Sequence, residues 1–344
     1  MEISQRLKKL PPYLFAEIDR IKRDLRKEGR DLIDLSIGDP DLPTPSHIVG
    51  KLCEAVKDPQ NHGYALDQGL REFRTAISDP CYPPYRSGTI LAEGKPFFLP
   101  LLRENNFLPD LKKIPKSIIK KAKIIFLNYP NNPTASICPE EFYKEVIDFA
   151  EKNDILICHD AAYSEISFDG YRSPSFLQFR GAKAVGIEFH SLSKTYNMTG
   201  WRIGWVCGNR RAVEALGKVK TNIDSGIFQA IQWAGIAALK EDQACVENLR
   251  EIYQERRDLL VEGLGEMGWR VNKPLATFYI WANLPKPHKS SLKFAKILLE
   301  KAGVVVTPGI GFGEFGEGFV RFSLTNSVEK IKEAIERIKK VLWD

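Results

Sequence analysis

Short apolar runs alternate with helix-periodic segments through the middle of the chain. The runs lie at residues 124–127, 155–158, 184–189 and 203–207. They are apolar on both faces, which is typical of strands inside a parallel sheet, and the segments between them predict covering helices. Pro139 marks the start of one such helix, which extends through Asn153. The pattern predicts an α/β fold with a mainly parallel sheet flanked by helices.

After Trp269 the pattern changes to that of a smaller α+β domain. Residues 228–264 predict a long helical region; beyond it, strands are predicted at 277–281, 304–306 and 319–322, and helices at 291–302 and 328–341. We therefore predict a large domain at 36–265, and a small domain with an N-terminal arm at 1–35 and 266–344. A helix predicted at 14–27 either packs on the small domain or bridges to a partner subunit.

The composition argues against several classes of function. An apolar content of 43% and a charged content of 27% are ordinary for a soluble globular protein of 344 residues. The net charge of +6 is spread along the chain, and the basic residues of 20–30 are interleaved with acidic ones, so we expect no nucleic-acid partner. No apolar run is long enough to span a membrane.

The cysteines and the first residues bear on the cellular compartment. Six cysteines are scattered without a C-x-x-C pair, which predicts neither a metal site nor a disulfide framework. Residues 1–5 lack the basic and apolar regions of a signal peptide. Together these features predict a cytoplasmic protein without a metal.

The stretch 191–204, SLSKTYNMTGWRIG, is the strongest chemical signal in the chain. Lys194 lies in a short polar loop, with Ser191 three residues before it and Arg202 eight residues after it. A bare Ser-x-Ser-Lys is usually a surface turn, but the Gly-Trp-Arg-Ile-Gly that follows argues against that interpretation. The spacing favours a catalytic lysine that forms a Schiff base with pyridoxal phosphate, while Ser191 and Arg202 bind the phosphate. Such a lysine needs its pKa lowered by burial and nearby positive charge.

Two more polar segments follow predicted strands, and ligands of open parallel sheets bind at these strand ends. Asp160 is the candidate for the carboxylate that keeps the pyridine nitrogen protonated, which the cofactor needs to act as an electron sink. Asn132 and Tyr163 are candidate donors to the phenolic oxygen of the ring. Arg321, on a predicted strand of the small domain, is suited to bind a substrate carboxylate through two parallel hydrogen bonds.

These motifs resemble those of the fold-type I, pyridoxal-phosphate-dependent aminotransferases of class I and II, from residue 11 to the C-terminus with one break. Residues 11–18, 37–43 and 222–226 are more specifically similar to LL-diaminopimelate aminotransferases. The resemblance implies a fold-type I large domain and amino transfer between LL-diaminopimelate and 2-oxoglutarate in lysine biosynthesis. Amino acids and 2-oxo acids are then the partners.

The resemblance also implies roles for residues that local patterns do not assign. Gly38 would line the substrate carboxylate pocket through its backbone, and Tyr13 and Asn132 would contact substrate. Tyr82 would stack on the pyridine ring. Tyr64 would reach across a homodimer interface to the cofactor phosphate of the partner subunit.

The one break in the resemblance falls between Ser78 and Asp79. There the family normally has several tens of residues, which form two strands and a Gly-Ser-Lys-type loop whose helix N-terminus binds the phosphate. Their loss would leave the phosphate to Ser191, Arg202 and a partner's Tyr64, and would expose an edge of the sheet.

Three functions remain open at this point. The first is the LL-diaminopimelate aminotransferase reaction. The second keeps the cofactor but acts on aspartate, alanine or aromatic amino acids, or cleaves a carbon–sulfur bond. The third is a non-catalytic remnant of the fold, which the missing loop favours. Five retained residues argue against a remnant: Asp160, Tyr163, Lys194, Arg202 and Arg321.

Overall fold

A computed structural model of the protein describes residues 16–63 and 85–342. Tyr13, Tyr64, Tyr82 and the junction of Ser78 with Asp79 lie outside the described residues. The helices are α1 Ala16–Lys27, α2 Ser46–Ala55, α3 Tyr85–Leu91, α4 Lys116–Ile119, α5 Glu140–Asn153, α6 Ala182–Val185, α7 Leu192–Thr195, α8 Arg210–Lys220, α9 Gln229–Lys240, α10 Ala244–Glu266, α11 Ser291–Ile297 and α12 Val328–Leu342. The strands are β1 Ile33–Asp34, β2 Ile124–Asn128, β3 Leu156–Asp160, β4 Gly186–Ser191, β5 Gly204–Gly208, β6 Tyr279–Asn283, β7 Val304–Val305, β8 Thr307–Pro308 and β9 Phe319–Ser323.

The central sheet confirms the predicted α/β class. Its strand order is β2-β3-β4-β5, with β2, β3 and β4 parallel and β5 antiparallel to β4. Helix α5 connects β2 to β3, as the sequence predicted, and packs Phe142, Val146 and Ala150 into the core beside the sheet. The carboxyl ends of the three parallel strands therefore meet at one edge.

The strand predicted at 184–189 begins later than expected. Residues Ala182–Val185 form the short helix α6, and β4 starts at Gly186. A side chain on Gly186 would approach the Phe176 ring to 2.3 Å, so the strand enters the sheet at a residue that has no side chain. Close packing, which periodicity does not reveal, sets this boundary.

The long helical region predicted at 228–264 is divided into α9 and α10. The break is explained by Gln243, whose amide donates to the carbonyls of Ala238 and Glu241 at 2.9 and 2.7 Å. These bonds satisfy acceptors that the end of α9 leaves open, so the chain stops and restarts there.

Strand β2 is apolar on both faces, but one face is partly exposed, whereas a strand inside a parallel sheet was expected to be buried on both. Ile124 is 48% and Phe126 36% exposed, and β2 is the outermost strand of the central sheet within the described residues. The Tyr85 ring stacks on Phe126 with centroids 4.7 Å apart and covers part of this face.

The predicted α+β unit is built around a three-stranded antiparallel sheet in the order β6-β9-β8. Strand β1 pairs in parallel with β7 and so joins the N-terminal segment to this unit. Helix α1 packs Ile18 against Leu299 and Val305, the first of its two expected positions. Helix α11 continues into a π-helical turn, Leu298–Ala302. The domain boundaries themselves stay a prediction.

Across residues 16–63 and 85–342, no helix has both the length and the apolar character needed to cross a bilayer.

A buried carboxylate network lies within the central sheet. Glu188 on β4 accepts hydrogen bonds from His159 at 3.0 Å, His190 at 2.9 Å, and the Ser175 hydroxyl and Phe176 amide at 2.6 Å each. Burial alone raises the pKa of this carboxyl, but the histidine hydrogen bonds outweigh burial and hold the pKa well below its usual range. Glu188 is therefore an ion satisfied from several sides.

We predict that Glu188→Gln lowers the free energy of unfolding by about 3 kcal/mol, because an amide cannot accept all of these bonds and leaves buried donors unpaired. Urea denaturation followed by circular dichroism measures the loss. Glu151→Gln, a change at an exposed carboxylate on α5, should alter stability by less than about 0.5 kcal/mol. Equal effects of the two substitutions would contradict the network's role.

Candidate active site

The strand register brings the three predicted polar segments together. Asn128 pairs with Asp160 between β2 and β3, and Asp160 pairs with Phe189 between β3 and β4. The Asn128 side chain ties the first two segments, because it donates to the Asp160 carbonyl at 3.0 Å and accepts from the Asn132 amide at 2.8 Å. The segments that carry Asn132, Asp160 and Lys194 thus lie at one edge of the sheet.

Asp160 is a buried carboxylate with donors on both oxygens. Its Oδ1 accepts from the Ala162 amide at 3.1 Å, and its Oδ2 accepts from the Tyr85 hydroxyl. The sequence did not single out Tyr85, although this residue lies in the same Asp-Pro-x-Tyr-Pro-x-Tyr segment as Tyr82. A carboxylate in this position can hold a proton on a ring nitrogen.

Lys194 lies on the short helix α7, whose first turn is capped by Ser191 through a 3.0 Å bond from the Ser193 amide. The Lys194 Nζ atom donates to the Gly38 carbonyl at 2.9 Å. Burial, opposed by the charge of Asp39 and helped by the charges of Arg202 and Arg321, lowers the pKa of Lys194 to about 8. The neutral fraction of this amine near neutral pH is therefore far larger than that of an ordinary lysine.

Arg321 is the most completely enclosed cation of the site, at 4% exposure. Its Nη1 donates to the Asn132 Oδ1 at 2.6 Å and its Nη2 to the Ser36 carbonyl at 2.8 Å. The guanidinium carbon lies 4.1 Å from the Tyr279 ring centroid and 4.7 Å from that of Phe312. Its Nε is buried and has no hydrogen-bond partner within the described part of the chain. An anion such as a carboxylate would satisfy it.

Two tyrosine hydroxyls meet beside Asn132. The Asn132 Nδ2 donates to the Tyr163 hydroxyl at 3.4 Å, and that hydroxyl lies 3.1 Å from the hydroxyl of Tyr279. Burial, followed by the neighbouring Tyr279, raises the pKa of Tyr163 well above its ordinary value. Tyr163 therefore stays protonated and can serve as a hydrogen-bond donor.

Gly38 lies where no side chain would fit. A Cβ atom at this position would be 1.9 Å from the Tyr279 hydroxyl oxygen. The loop that carries it is held by Arg256 on α10, which binds both carboxylate oxygens of Asp41 at 2.7 and 2.8 Å and the Leu324 carbonyl at 3.0 Å. The Gly38 carbonyl thus lies beside Lys194, and its predicted role in the substrate pocket stays a prediction.

The opposite end of the site is open. Arg202 is exposed, adopts a φ of 56°, and donates to the Thr199 carbonyl at 2.8 Å. Within the described residues, Ser191 and Arg202 are the predicted phosphate donors at this end. The ring end fits pyridoxal phosphate through the buried Asp160, the neutral Tyr163 and the depressed pKa of Lys194. We conclude that the described residues fit the cofactor, with Ser191 and Arg202 available to its phosphate.

Sequence reasoning connected Phe312-Gly313 with Arg321 but missed Tyr279, whose ring also packs on the Arg321 guanidinium. Trp281 is the direct partner of Arg321 between β6 and β9, and Tyr279 lies two residues earlier on the same face. The aromatic pair Phe278-Tyr279 on a predicted strand was the available signal. Its meaning depends on the pairing of two strands distant in sequence.

Comparisons with known proteins agree with this geometry. Residues 75–338 match the family model described as aminotransferase class I and II. LL-diaminopimelate aminotransferases of Halothermothrix orenii and Moorella thermoacetica are 51% and 47% identical to this chain, covering 98% and 99% of both chains respectively. The solved structure of apo-BacF from Bacillus subtilis is 36% identical with a TM-score of 0.92, and the match covers 99% of this chain and 98% of that one.

The aligned length also bears on the predicted gap. The alignment with the Halothermothrix orenii protein runs over 383 residues, 39 more than the 344 residues of this chain. That relative therefore carries tens of residues within the aligned region that this chain lacks. The size agrees with the segment expected between Ser78 and Asp79, whose position stays a prediction.

We predict that cofactor-free protein takes up pyridoxal phosphate faster as the pH rises through about 8. Only a neutral amine attacks an aldehyde. Because the pKa of Lys194 lies below the ordinary value of 10.5, its neutral fraction increases over a lower pH range than that of an ordinary lysine. The rate of growth of the visible absorbance, measured from pH 6 to about pH 10, gives the midpoint. A midpoint near 10.5 would contradict the assigned environment.

Proposed function

This chain belongs to the class I and II aminotransferases, and from that premise we propose that it moves an amino group between LL-diaminopimelate and 2-oxoglutarate, a step of lysine biosynthesis. Curated LL-diaminopimelate aminotransferases that are 44–51% identical over nearly the whole chain support the choice of substrate. The enzyme depends on pyridoxal phosphate, as its family does. The observation that carries the chemistry is a half-buried lysine whose pKa is lowered to about 8 by burial and by the charges of two arginines, one of them the buried Arg321 with an unpaired Nε within the described residues.

Bound pyridoxal phosphate supplies an electron sink that makes the α-hydrogen of an amino acid acidic. We assign Lys194 the attack on the cofactor and the transfer of the α-proton. Its pKa of about 8 suits both tasks, because the amine loses its proton more readily than an ordinary lysine yet is basic enough to accept one. The Gly38 carbonyl holds the Nζ atom in place until the cofactor binds.

The remaining ring contacts follow from the chemistry of the donors. Asp160 would face the ring nitrogen, and Tyr163 and Asn132 would donate to the phenolic oxygen. Tyr82 would stack on the ring. The contact of Asp160 would stabilise the protonated ring nitrogen, and those of Tyr163 and Asn132 would stabilise the anionic phenolic oxygen.

Arg321 would bind the α-carboxylate of the substrate. The Nε and Nη groups of a guanidinium lie in one plane and match the two oxygens of a carboxylate, and the Nε is unpaired in the described structure. Asn132 lies 2.6 Å from Nη1 and would contact the same carboxylate. Gly38 and Tyr13 would line the rest of the substrate pocket.

We further propose a cytoplasmic homodimer in which Tyr64 of each protomer reaches the cofactor phosphate of the other. Ser191 and the exposed Arg202 leave room for such a donor at the phosphate end. The sequence resemblance supports the dimer, and the scattered cysteines support the compartment.

A test of the lysine assignment uses purified protein with added pyridoxal phosphate. We predict a visible absorbance band and amino transfer from LL-diaminopimelate to 2-oxoglutarate, with Lys194→Ala removing the band and lowering transfer at least about a thousandfold. Lys183→Ala, at an exposed lysine on α6, is the matched control and should leave both unchanged.

The same assay separates the alternative functions. Faster transfer from aspartate, alanine or an aromatic amino acid, or release of a thiol from a C–S lyase substrate, would replace the proposed substrate. Failure to take up the cofactor at any concentration would favour the non-catalytic remnant. Full activity of Lys194→Ala would overturn the catalytic assignment.

The sparse phosphate end gives a separate prediction. Insertion of the corresponding segment of the Halothermothrix orenii protein between Ser78 and Asp79 should lower the Kd for pyridoxal phosphate at least about tenfold, because one added charge-assisted hydrogen bond is worth about 1.5 kcal/mol or more. Equilibrium titration of the visible band measures the Kd. A Gly-Ser insert of equal length is the control, and an equal gain from it would contradict the explanation.

A further inference from the structure

Tyr279 lies at the meeting point of the groups assigned to substrate and to cofactor. It is 1% exposed, its ring lies under the Arg321 guanidinium, and its hydroxyl is 3.1 Å from the Tyr163 hydroxyl. The same hydroxyl fills the space beside Gly38 that a side chain would otherwise occupy. One side chain therefore contacts three residues of the proposed site.

The hydroxyl contact limits how Tyr163 can use its single proton. A phenol hydroxyl donates one hydrogen bond and accepts up to two. The Asn132 Nδ2 atom can only donate, so its 3.4 Å bond occupies one acceptor position of Tyr163. If the Tyr279 hydroxyl donates as well, both acceptor positions of Tyr163 are filled. The proton of Tyr163 is then directed away from both neighbours and is available to the cofactor.

The ring of Tyr279 has a second, separable effect. The Arg321 guanidinium carbon lies 4.1 Å from the centroid of this ring and 4.7 Å from that of Phe312. Packing against two aromatic rings restricts the plane of a guanidinium, and a fixed plane favours two parallel hydrogen bonds to a carboxylate. A phenylalanine at 279 would keep this ring and lose only the hydroxyl.

We propose that Tyr279 is a positioning residue whose hydroxyl donates to Tyr163 and so directs the Tyr163 proton to the phenolic oxygen of the cofactor, while its ring orients Arg321 for the substrate carboxylate. This role rests on the proposed function. Tyr279 would then link Arg321, which would bind the substrate carboxylate, to Tyr163, which would contact the cofactor ring.

The test is a pH titration of the visible absorbance of bound pyridoxal phosphate, which needs no substrate. Loss of the Tyr279 hydroxyl weakens the bond from Tyr163 to the anionic phenolic oxygen, so the deprotonated form becomes less stable and the absorbance transition moves to higher pH. For Tyr279→Phe we expect an upward shift of about half a pH unit, smaller than that of Tyr163→Phe. In the Tyr163→Phe background the added Tyr279→Phe should cause no further shift, because the Tyr163 proton that the Tyr279 hydroxyl directs is already absent.

Tyr143→Phe serves as the matched control. Tyr143 is a buried tyrosine on α5 whose hydroxyl bonds His159 Nε2 at 3.0 Å, away from Tyr163. Its removal should lower stability and leave the absorbance transition in place.

Three results would overturn the proposal. They are an unchanged transition in Tyr279→Phe, an equal shift in the wild-type and Tyr163→Phe backgrounds, and a loss of stability without any shift. Failure of LL-diaminopimelate transfer would leave the titration intact and would count against the substrate alone. Absence of the visible band from the unmodified protein would overturn the cofactor chemistry and the role of Tyr279 with it.

Discussion

A buried positive charge, with no carboxylate partner among residues 16–63 and 85–342, sets the properties of the site. The Arg321 guanidinium is held by the Asn132 amide oxygen, the Ser36 carbonyl and two aromatic faces, all of them neutral. Enclosing a cation in this way costs free energy that the rest of the fold must supply until an anion binds. The same charge adds to the effect of burial on Lys194 and helps to keep that amine neutral. Carboxylate capture and amine reactivity thus share one electrostatic origin.

The partners of this cation come from distant parts of the chain. Ser36 follows β1, Asn132 follows β2, and Arg321 itself lies on β9 between β6 and β8. The hydrogen bonds of Arg321 therefore join the central parallel sheet to the antiparallel one. Arg256 reinforces this junction through Asp41 and the Leu324 carbonyl, which fixes the loop of Gly38. The site therefore exists only where the two sheets pack together.

The hydrophobic pattern was sufficient to predict the parallel sheet. The position of Asn132, Asp160 and Lys194 just after predicted strands was sufficient to predict that their segments meet at one edge of that sheet. Each of these predictions depends on short segments of sequence. Tyr279 could not be predicted in this way, because its contacts with Tyr163 and Arg321 depend on strand pairing and on the packing of one sheet against the other. The start of β4 at Gly186 was missed for a similar reason, since it is decided by contact with Phe176. The break between α9 and α10 required knowing which carbonyls Gln243 reaches.

Side chains alternate between the two faces of the sheet along β3 and β4, so each strand contributes residues to two different clusters. His159 and Glu188 point to one face, where they form the buried carboxylate network, while Asp160 and Ser191 point to the other, where the cofactor would bind. A substitution on the cofactor face of β3 or β4 therefore leaves the side chains of the buried carboxylate network in place.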